Sequence, residues 1–292
     1  MTVDERLKSV LDFQAPMGAF PSLISSGNRK CCDWNGFTTA QVLRALRAVP
    51  ESDPLNNARS LALDFLKSCE SPDKPGAYHF WPKGTQPGWI PDLPADADDT
   101  SIILVEMVRH KRIDLDAARK MACSVLLPCR LLKVPEPGPP WIRPGTFFTW
   151  LRPGPFNVVD CCVNANVIAL LSYLGLEGIP GFKEACEMIE AGIKWAGGSD
   201  FKARTLTAFY PHPAEFAYAV EHAIECGANR LEESLCLMKD FGWLPDNDDH
   251  IYHISEEKPI CGNAYEGDIW FSEALDAARK YGRRFPHPGQ IK

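Results

Sequence analysis

The feature that most constrains this chain is an internal repeat. Gly18-Ala-Phe, Gly76-Ala-Tyr-His-Phe-Trp81 and Gly145-Thr-Phe-Phe-Thr-Trp150 open three units spaced about 58 to 69 residues apart. Each turn leads through a loop to a strongly apolar helix, and an amphipathic helix follows. Gly18 to Asp33 and Gly145 to Asp160 have the same spacing. The pattern predicts helices over Thr38–Ala48 and Leu55–Cys69, from the Asp96–Asp99 stretch to about Arg109, over Asp114–Leu127, and over Val163–Leu174. Two weaker units follow. Thr205-Leu-Thr-Ala-Phe-Tyr210 precedes Ala214–Cys226 and its partner Arg230–Phe241, and Asn263–Asp268 precedes a last helix over Ile269–Tyr281.

A helix that is apolar all round must be buried, whereas an amphipathic one faces water. A closed ring satisfies both demands at once. The expectation is therefore an all-α chain, a single α/α toroid of five to six helical hairpins spanning residues 1–292. Apolar helices form its inner ring and amphipathic ones its outer ring. The amphipathic segment Met1–Phe13, with Val3, Leu7, Val10 and Leu11 on one stripe, packs on the last inner helix to close it. The proline-rich Val134–Pro144 is read as a rigid surface loop rather than a domain boundary.

Composition narrows the function classes. A net charge of −7, with 31 Lys and Arg scattered along the chain, argues against a nucleic-acid partner. No apolar run reaches the length of a membrane span, and Met1–Phe13 has the pattern of neither a signal nor a transit peptide. The 11 cysteines are odd in number, and Cys123, Cys186 and Cys236 read as helix-face residues, so a cytoplasmic location is expected.

Asp96-Ala-Asp-Asp-Thr-Ser101 crowds three carboxylates into four residues at a helix start. Asp98 or Asp99, followed by Thr100, is a natural N-cap, and the macrodipole alone favours carboxylates there. The third carboxylate adds something a cap does not need. Like charges this close cannot all ionise cheaply, so one carboxyl is held protonated near neutral pH and becomes a proton donor.

Taken together, the repeat and the acidic stretch resemble the superfamily of class II terpene cyclases and protein prenyltransferase β-subunits, whose fold is an α/α toroid. Asp96-Ala-Asp-Asp-Thr-Ser is similar to the Asp-x-Asp-Asp-Thr-Ala proton-donor motif of squalene-hopene and class II diterpene cyclases. The resemblance implies protonation of an alkene or epoxide by Asp98, with Asp96 and Asp99 in flanking roles. It also implies an isomerase or lyase that needs no cofactor. The chain departs from the family in having length for one barrel, no intact Gln-Trp repeats and no Asp-Asp-x-x-Asp motif for magnesium. A small isoprenoid, or an isoprenoid chain on another scaffold, is thus the expected substrate. The pocket must come from the mouth of the toroid or from a homodimer interface.

Carbocation chemistry needs aromatic faces, because ring quadrupoles attract a cation without attacking it. Trp34, Phe37, Trp81, Phe148, Trp150, Trp270 and Phe271 are the expected wall, with Trp89, Phe147, Phe209 and Tyr210 as further aromatics near the same loop ends. Cys161, Cys162, Asn164 and Asn166 are placed to hydrogen-bond the acid. Asp160-Cys161-Cys162 is also similar to part of the prenyltransferase zinc site, but the corresponding late helix start lacks a His, and His250 and His253 lie upstream of it. No metal is therefore expected. His79, His212, His222 and His253 read as surface or satisfied polar residues, and Asp246–Asp249 as a solvated acidic loop. No phosphate-cradling loop, nucleophile elbow or dinucleotide fingerprint is present. Two alternatives stay open beside the cyclase: a non-catalytic toroid that binds an isoprenoid or a protein, and a zinc-dependent prenyl transfer enzyme.

Overall fold

The computed structural model describes residues 3–152, 154, 157–244, 253–262 and 267–285. Among these residues the chain order is α1 (Val3–Leu11), β1 (Pro21–Ser26), β2 (Arg29–Trp34), α2 (Gly36–Ala45), α3 (Asp53–Ser68), α4 (Ala97–Arg109) and α5 (Leu115–Leu126). It continues with α6 (Cys161–Tyr173), α7 (Phe182–Ala196), α8 (Asp200–Thr205), α9 (Pro213–Glu225), α10 (Glu232–Asp240), β3 (Cys261–Gly262), β4 (Ile269–Phe271) and α11 (Glu273–Gly282).

Neighbour packing makes the ring. α11 packs on α2, α2 on α4, α4 on α6 and α6 on α9, while α3, α5, α7 and α10 pack outside them. α6 is buried from Cys161 to Ser172, as expected of an inner helix without a polar face. α1 packs on α11 and α3, so the N-terminal segment does close the ring. The helices α9 and α11 are not among the closely packed pairs. Side chains join them instead: Arg279 forms a bidentate ion pair with Glu215, at 2.6 and 2.8 Å.

The repeat glycines have a steric reason. Gly18 and Gly145 both have positive φ, +96° and +100°. A Cβ at Gly18 would lie 2.1 Å from the Leu61 carbonyl oxygen on α3, and one at Gly145 would lie 2.8 Å from Glu184 Cγ on α7. Each turn therefore needs glycine twice, for its backbone conformation and for close approach to the outer helix.

The helical toroid is as expected, with one small sheet added to it. A four-stranded antiparallel sheet, in the order β2-β1-β4-β3, sits at the helix-start end of the ring. The expected last helix over Ile269–Tyr281 begins only at Glu273, because Ile269–Phe271 pairs with β1 and β3. A three-residue strand that runs straight into a helix is too short to show its own period. The outer helix α7 and the short α8 were not among the expected helices. Cys186 is buried and Cys123 half-buried, but Cys236 is exposed and does not pack in a helix face. The Val134–Pro144 segment is a largely exposed loop anchored by the buried Trp141. The side chain of Val3, Asp246–Asp249 and His250 lie outside the described residues, as does most of the Asn263–Asp268 turn.

Candidate active site

The five inner helices all start at one end of the ring, with N-caps Asn35, Asp96, Asp160, His212 and Ser272. Their positive dipole ends converge there, and a cavity opens among them. Basic residues gather at the other end. Arg44, Arg109 and Arg279 lie in the last turns of α2, α4 and α11, where they offset the negative helix ends.

The acidic stretch is positioned by the turns of two repeats. Asp96 bridges to Tyr78 on one side and Trp150 on the other, so both Gly-aromatic segments flank it. Asp96 itself is the N-cap, its Oδ1 accepting from the Asp99 backbone N–H at 2.7 Å. That corrects the expectation of a cap at Asp98 or Asp99, which instead occupy the first helical turn. Asp98 Oδ1 accepts from Asn166 Nδ2 at 2.7 Å, and the Tyr210 hydroxyl donates to Asp98 Oδ2.

All three carboxyls are buried and hold protons more tightly than usual. Burial pushes Asp98 up to about 6, with Tyr210 and Asn166 restraining the rise. Asp96 goes up to about 7, again through burial first, with the hydrogen bond from Asp99 acting the other way. Asp99 is likewise raised well above the ordinary carboxyl range, through burial and then the charge of Asp96 beside it. Asp99 Oδ1 is buried and has no hydrogen-bond partner among the described residues. Asp96 and Asp99 thus titrate as one buried pair that resists losing both protons.

The remaining lining is mostly aromatic and aliphatic. Phe37 lies 6.0 Å from Tyr210 and stacks on Phe80, with ring centroids 6.0 Å apart. Phe80 meets Trp81 edge-on at 4.5 Å and Trp270 at 5.4 Å. A continuous row of rings therefore runs from the phenol that holds Asp98 to two indoles across the cavity. Trp150 and Phe209 pair edge-to-face at 5.5 Å on another wall. Asp268 also lines the cavity, so the cavity's carboxyl groups are not confined to the Asp96–Asp99 stretch.

No protein-family model matches the chain, and no curated protein matches it. Among solved structures, it is similar to apo type II terpene cyclase MstE from Scytonema at 14% identity and a TM-score of 0.45, with 96% of each chain covered. A variant of that cyclase in complex with geranylgeranyl dihydroxybenzoate aligns at 15% identity and a TM-score of 0.44, covering 96% of this chain and 95% of that one. A protein from Actinoplanes aligns at 15% identity and a TM-score of 0.45, covering 97% of each chain. The chemistry of the site rests on this chain's own side chains.

Of the expected wall, Phe37, Trp81, Trp150 and Trp270 line the cavity. Trp34 does not: it is 40% exposed, on the edge strand β2. Phe148 and Phe271 are only partly buried and are not part of the lining; on β4, strand alternation turns Phe271 opposite to its neighbour Trp270. Asn166 touches the acid directly, whereas the Sγ of Cys162 approaches the Glu215 carbonyl at 3.9 Å and not the acid. Asn164 ties the Phe147 backbone to α6.

Asp160 is fully engaged as a cap, accepting from the backbone N–H groups of Cys162, Val163 and Phe209. Among the described residues no three His, Cys, Asp or Glu side chains are grouped to hold a metal. His79, His212 and His253 have polar partners, but His222 is buried with its Nδ1 unpaired among the described residues, contrary to the expectation that it is satisfied. Three residues escaped the sequence reading: Phe80 in the wall, Tyr210 as a hydrogen-bond donor, and Asp33 behind the indoles. The first two sit in Gly-aromatic or equivalent turns, where a rule of taking every ring would have found them.

Proposed function

We propose that this chain is a class II terpene cyclase-like enzyme, an isomerase or lyase that starts a carbocation reaction on a small isoprenoid or on a prenyl group carried by another scaffold. The observation that carries this reading is a buried carboxyl cluster of raised proton affinity, opening on a cavity walled by a continuous row of rings. Asp98 gives its proton to an alkene carbon or epoxide oxygen. For an alkene the π electrons form the new C–H bond and leave the adjacent carbon cationic. For an epoxide an oxygen lone pair takes the proton, and the ring C–O bond breaks with its pair going to oxygen, which leaves that carbon cationic and the oxygen a hydroxyl. Asp98 is left as a carboxylate, and its two oxygens are then held by Asn166 and Tyr210. Ring faces attract the cation without trapping it, while an apolar wall keeps water away. Proton loss or water capture ends the sequence.

A carboxyl titrating at about 6 is protonated about 10% of the time at pH 7, enough to act, and the Asp96–Asp99 pair limits the negative charge beside it. A second assignment has its own observation behind it. Asp99 also lines the cavity and its Oδ1 has no partner among the described residues, which favours Asp99 as the group that holds the transferable proton. Incubation with prenyl diphosphates, free polyprenols and their epoxides, followed by analysis of extracts for cyclised products, tests the function. Comparing Asp98→Asn with Asp99→Asn decides between the two donors. Absence of any cyclised or isomerised product from the wild type across this panel would leave the chain as a binding toroid.

A further inference from the structure

Asp33 is a buried carboxylate that the proton-transfer chemistry does not use. Its Oδ1 accepts from the Trp81 indole N–H at 2.7 Å. Its Oδ2 accepts from the Trp270 indole N–H at 3.0 Å and from Asn35 Nδ2 at 2.7 Å. All three partners are N–H donors, so the arrangement suits an ionised carboxylate. Trp81 and Trp270 come from different parts of the chain, yet both line the cavity and both point their N–H edge at this one residue. Asp33 stands behind them, 3% exposed.

The comparison with Asp160 shows that this is not the local default. Asp160 occupies the same position after its repeat glycine and spends its oxygens on backbone N–H groups at the start of its own helix. In the first unit the β1–β2 hairpin ends at Trp34, and Asn35 takes over the cap. Asp33 is thereby released from capping and turned towards the indoles.

We propose that Asp33 is a positioning residue that makes the far end of the aromatic wall a cation-stabilising surface. It holds two indoles that both border the cavity, their centroids 6.2 Å apart and their planes at 53°. Its negative charge, lying beyond the N–H edges, pushes electron density into both rings and adds its own attraction for a cation in the cavity. The row of rings thus has a proton donor at the Tyr210 end and a buried counter-charge at the Trp81–Trp270 end. A cation generated at the first is drawn to the second, which selects substrates long enough to place their late cationic centre there. This proposal rests on the carbocation reading of the same cavity.

Its test is a binding measurement that needs no turnover. Decyltrimethylammonium and neutral decanol are titrated into wild-type protein and Asp33→Asn by calorimetry. The wild type is expected to prefer the ammonium by about tenfold, and Asp33→Asn to lose most of that preference while decanol affinity is unchanged. A purely structural Asp33 would weaken both ligands together, and that result, or an unchanged preference, overturns the proposal. Should Asp33→Asn fail to fold, the indole N–H resonances of wild-type protein decide, with Trp270→Phe assigning one of them. The Trp81 and Trp270 signals should shift with the ammonium and not with decanol, and equal responses overturn the proposal. The two readings fail separately. Ammonium preference that depends on Asp33 in a protein that cyclises nothing would sink only the enzyme, and turnover with no ammonium preference would sink only the role of Asp33.

Discussion

The Tyr210 hydroxyl donates to Asp98 Oδ2, joining the turn before α9 to the first turn of α4 across 112 residues of sequence. This bond favours the charged form of Asp98 and so opposes the effect of burial. Removing it in Tyr210→Phe should raise Asp98 above about 6. A hydrogen bond to a charged group contributes about 1.5–3 kcal/mol, so the rise should be about one to two units. Activity that needs protonated Asp98 is lost as pH rises through this value. The alkaline limb of the pH–rate profile should therefore move to higher pH in Tyr210→Phe, measured as initial rates of product formation. An unmoved limb would mean that Asp98 is not the titrating acid.

Asp98→Asn tests the donor directly. The variant keeps shape and acceptor but has no acidic proton, and Asn166 can turn its unpaired Oδ1 towards the new amide. Turnover should fall by about 10³-fold or more, while thermal stability stays within about 1 kcal/mol. Asp99→Asn should be less impaired if Asp98 delivers the proton, and equally impaired or worse if Asp99 does. Product analysis beside a melting curve for each variant reads both quantities.

An ion pair joins α9 to α11. Glu215 is buried on α9, and Arg279 reaches it from α11 while also lying 4.9 Å from the Tyr218 ring. Arg279→Met would strand a buried carboxylate and should destabilise the fold by about 3–5 kcal/mol. Adding Glu215→Gln should restore much of that loss, because no charge is then left unpaired. Denaturant unfolding of the two single variants and the double forms the cycle. Strictly additive losses would show that the pair does not act as a unit.

Stability should also vary with pH in a defined direction. Burial raises Asp98 to about 6 and Asp96 and Asp160 to about 7, above their unfolded values. Their contribution is full below the unfolded pKa of about 4 and is lost as pH rises through about 6 to 7. Buried His222 is depressed by burial and by Arg44, so its contribution is present above about 6.5 and lost as pH falls below that value. The melting temperature should therefore fall from pH 6 to pH 8, and Asp160→Asn, which keeps the cap, should flatten part of that slope. A melting temperature that rises over this interval would contradict the raised proton affinity of these carboxyls.

The repeat made the ring legible, because an inner helix has no polar face to show water and an outer helix has one. Glycine at Gly18 and Gly145 was legible for the same kind of reason, since a side chain there meets the outer helix. The acidic cluster stood out because three carboxylates in four residues is a local feature. The strand at Ile269–Phe271 was not legible. Three residues carry no period, and their pairing with β1 is made by segments that lie far apart in sequence.

The sequence by itself determined that apolar helices are buried inside amphipathic ones, and that a cluster of carboxyls stands at the start of one of them. These follow from local spacing and from burial that each segment needs for its own sake. Only the tertiary structure decided that Asp96 caps while Asp98 faces Tyr210 and Asn166, that Trp270 turns inward while Trp34 stays outside, and that Asp33 serves two distant indoles instead of a helix end. Those outcomes depend on which donors the closed ring brings within reach of each carboxylate, and hydrogen bonds between segments far apart in the chain leave no periodic trace in it.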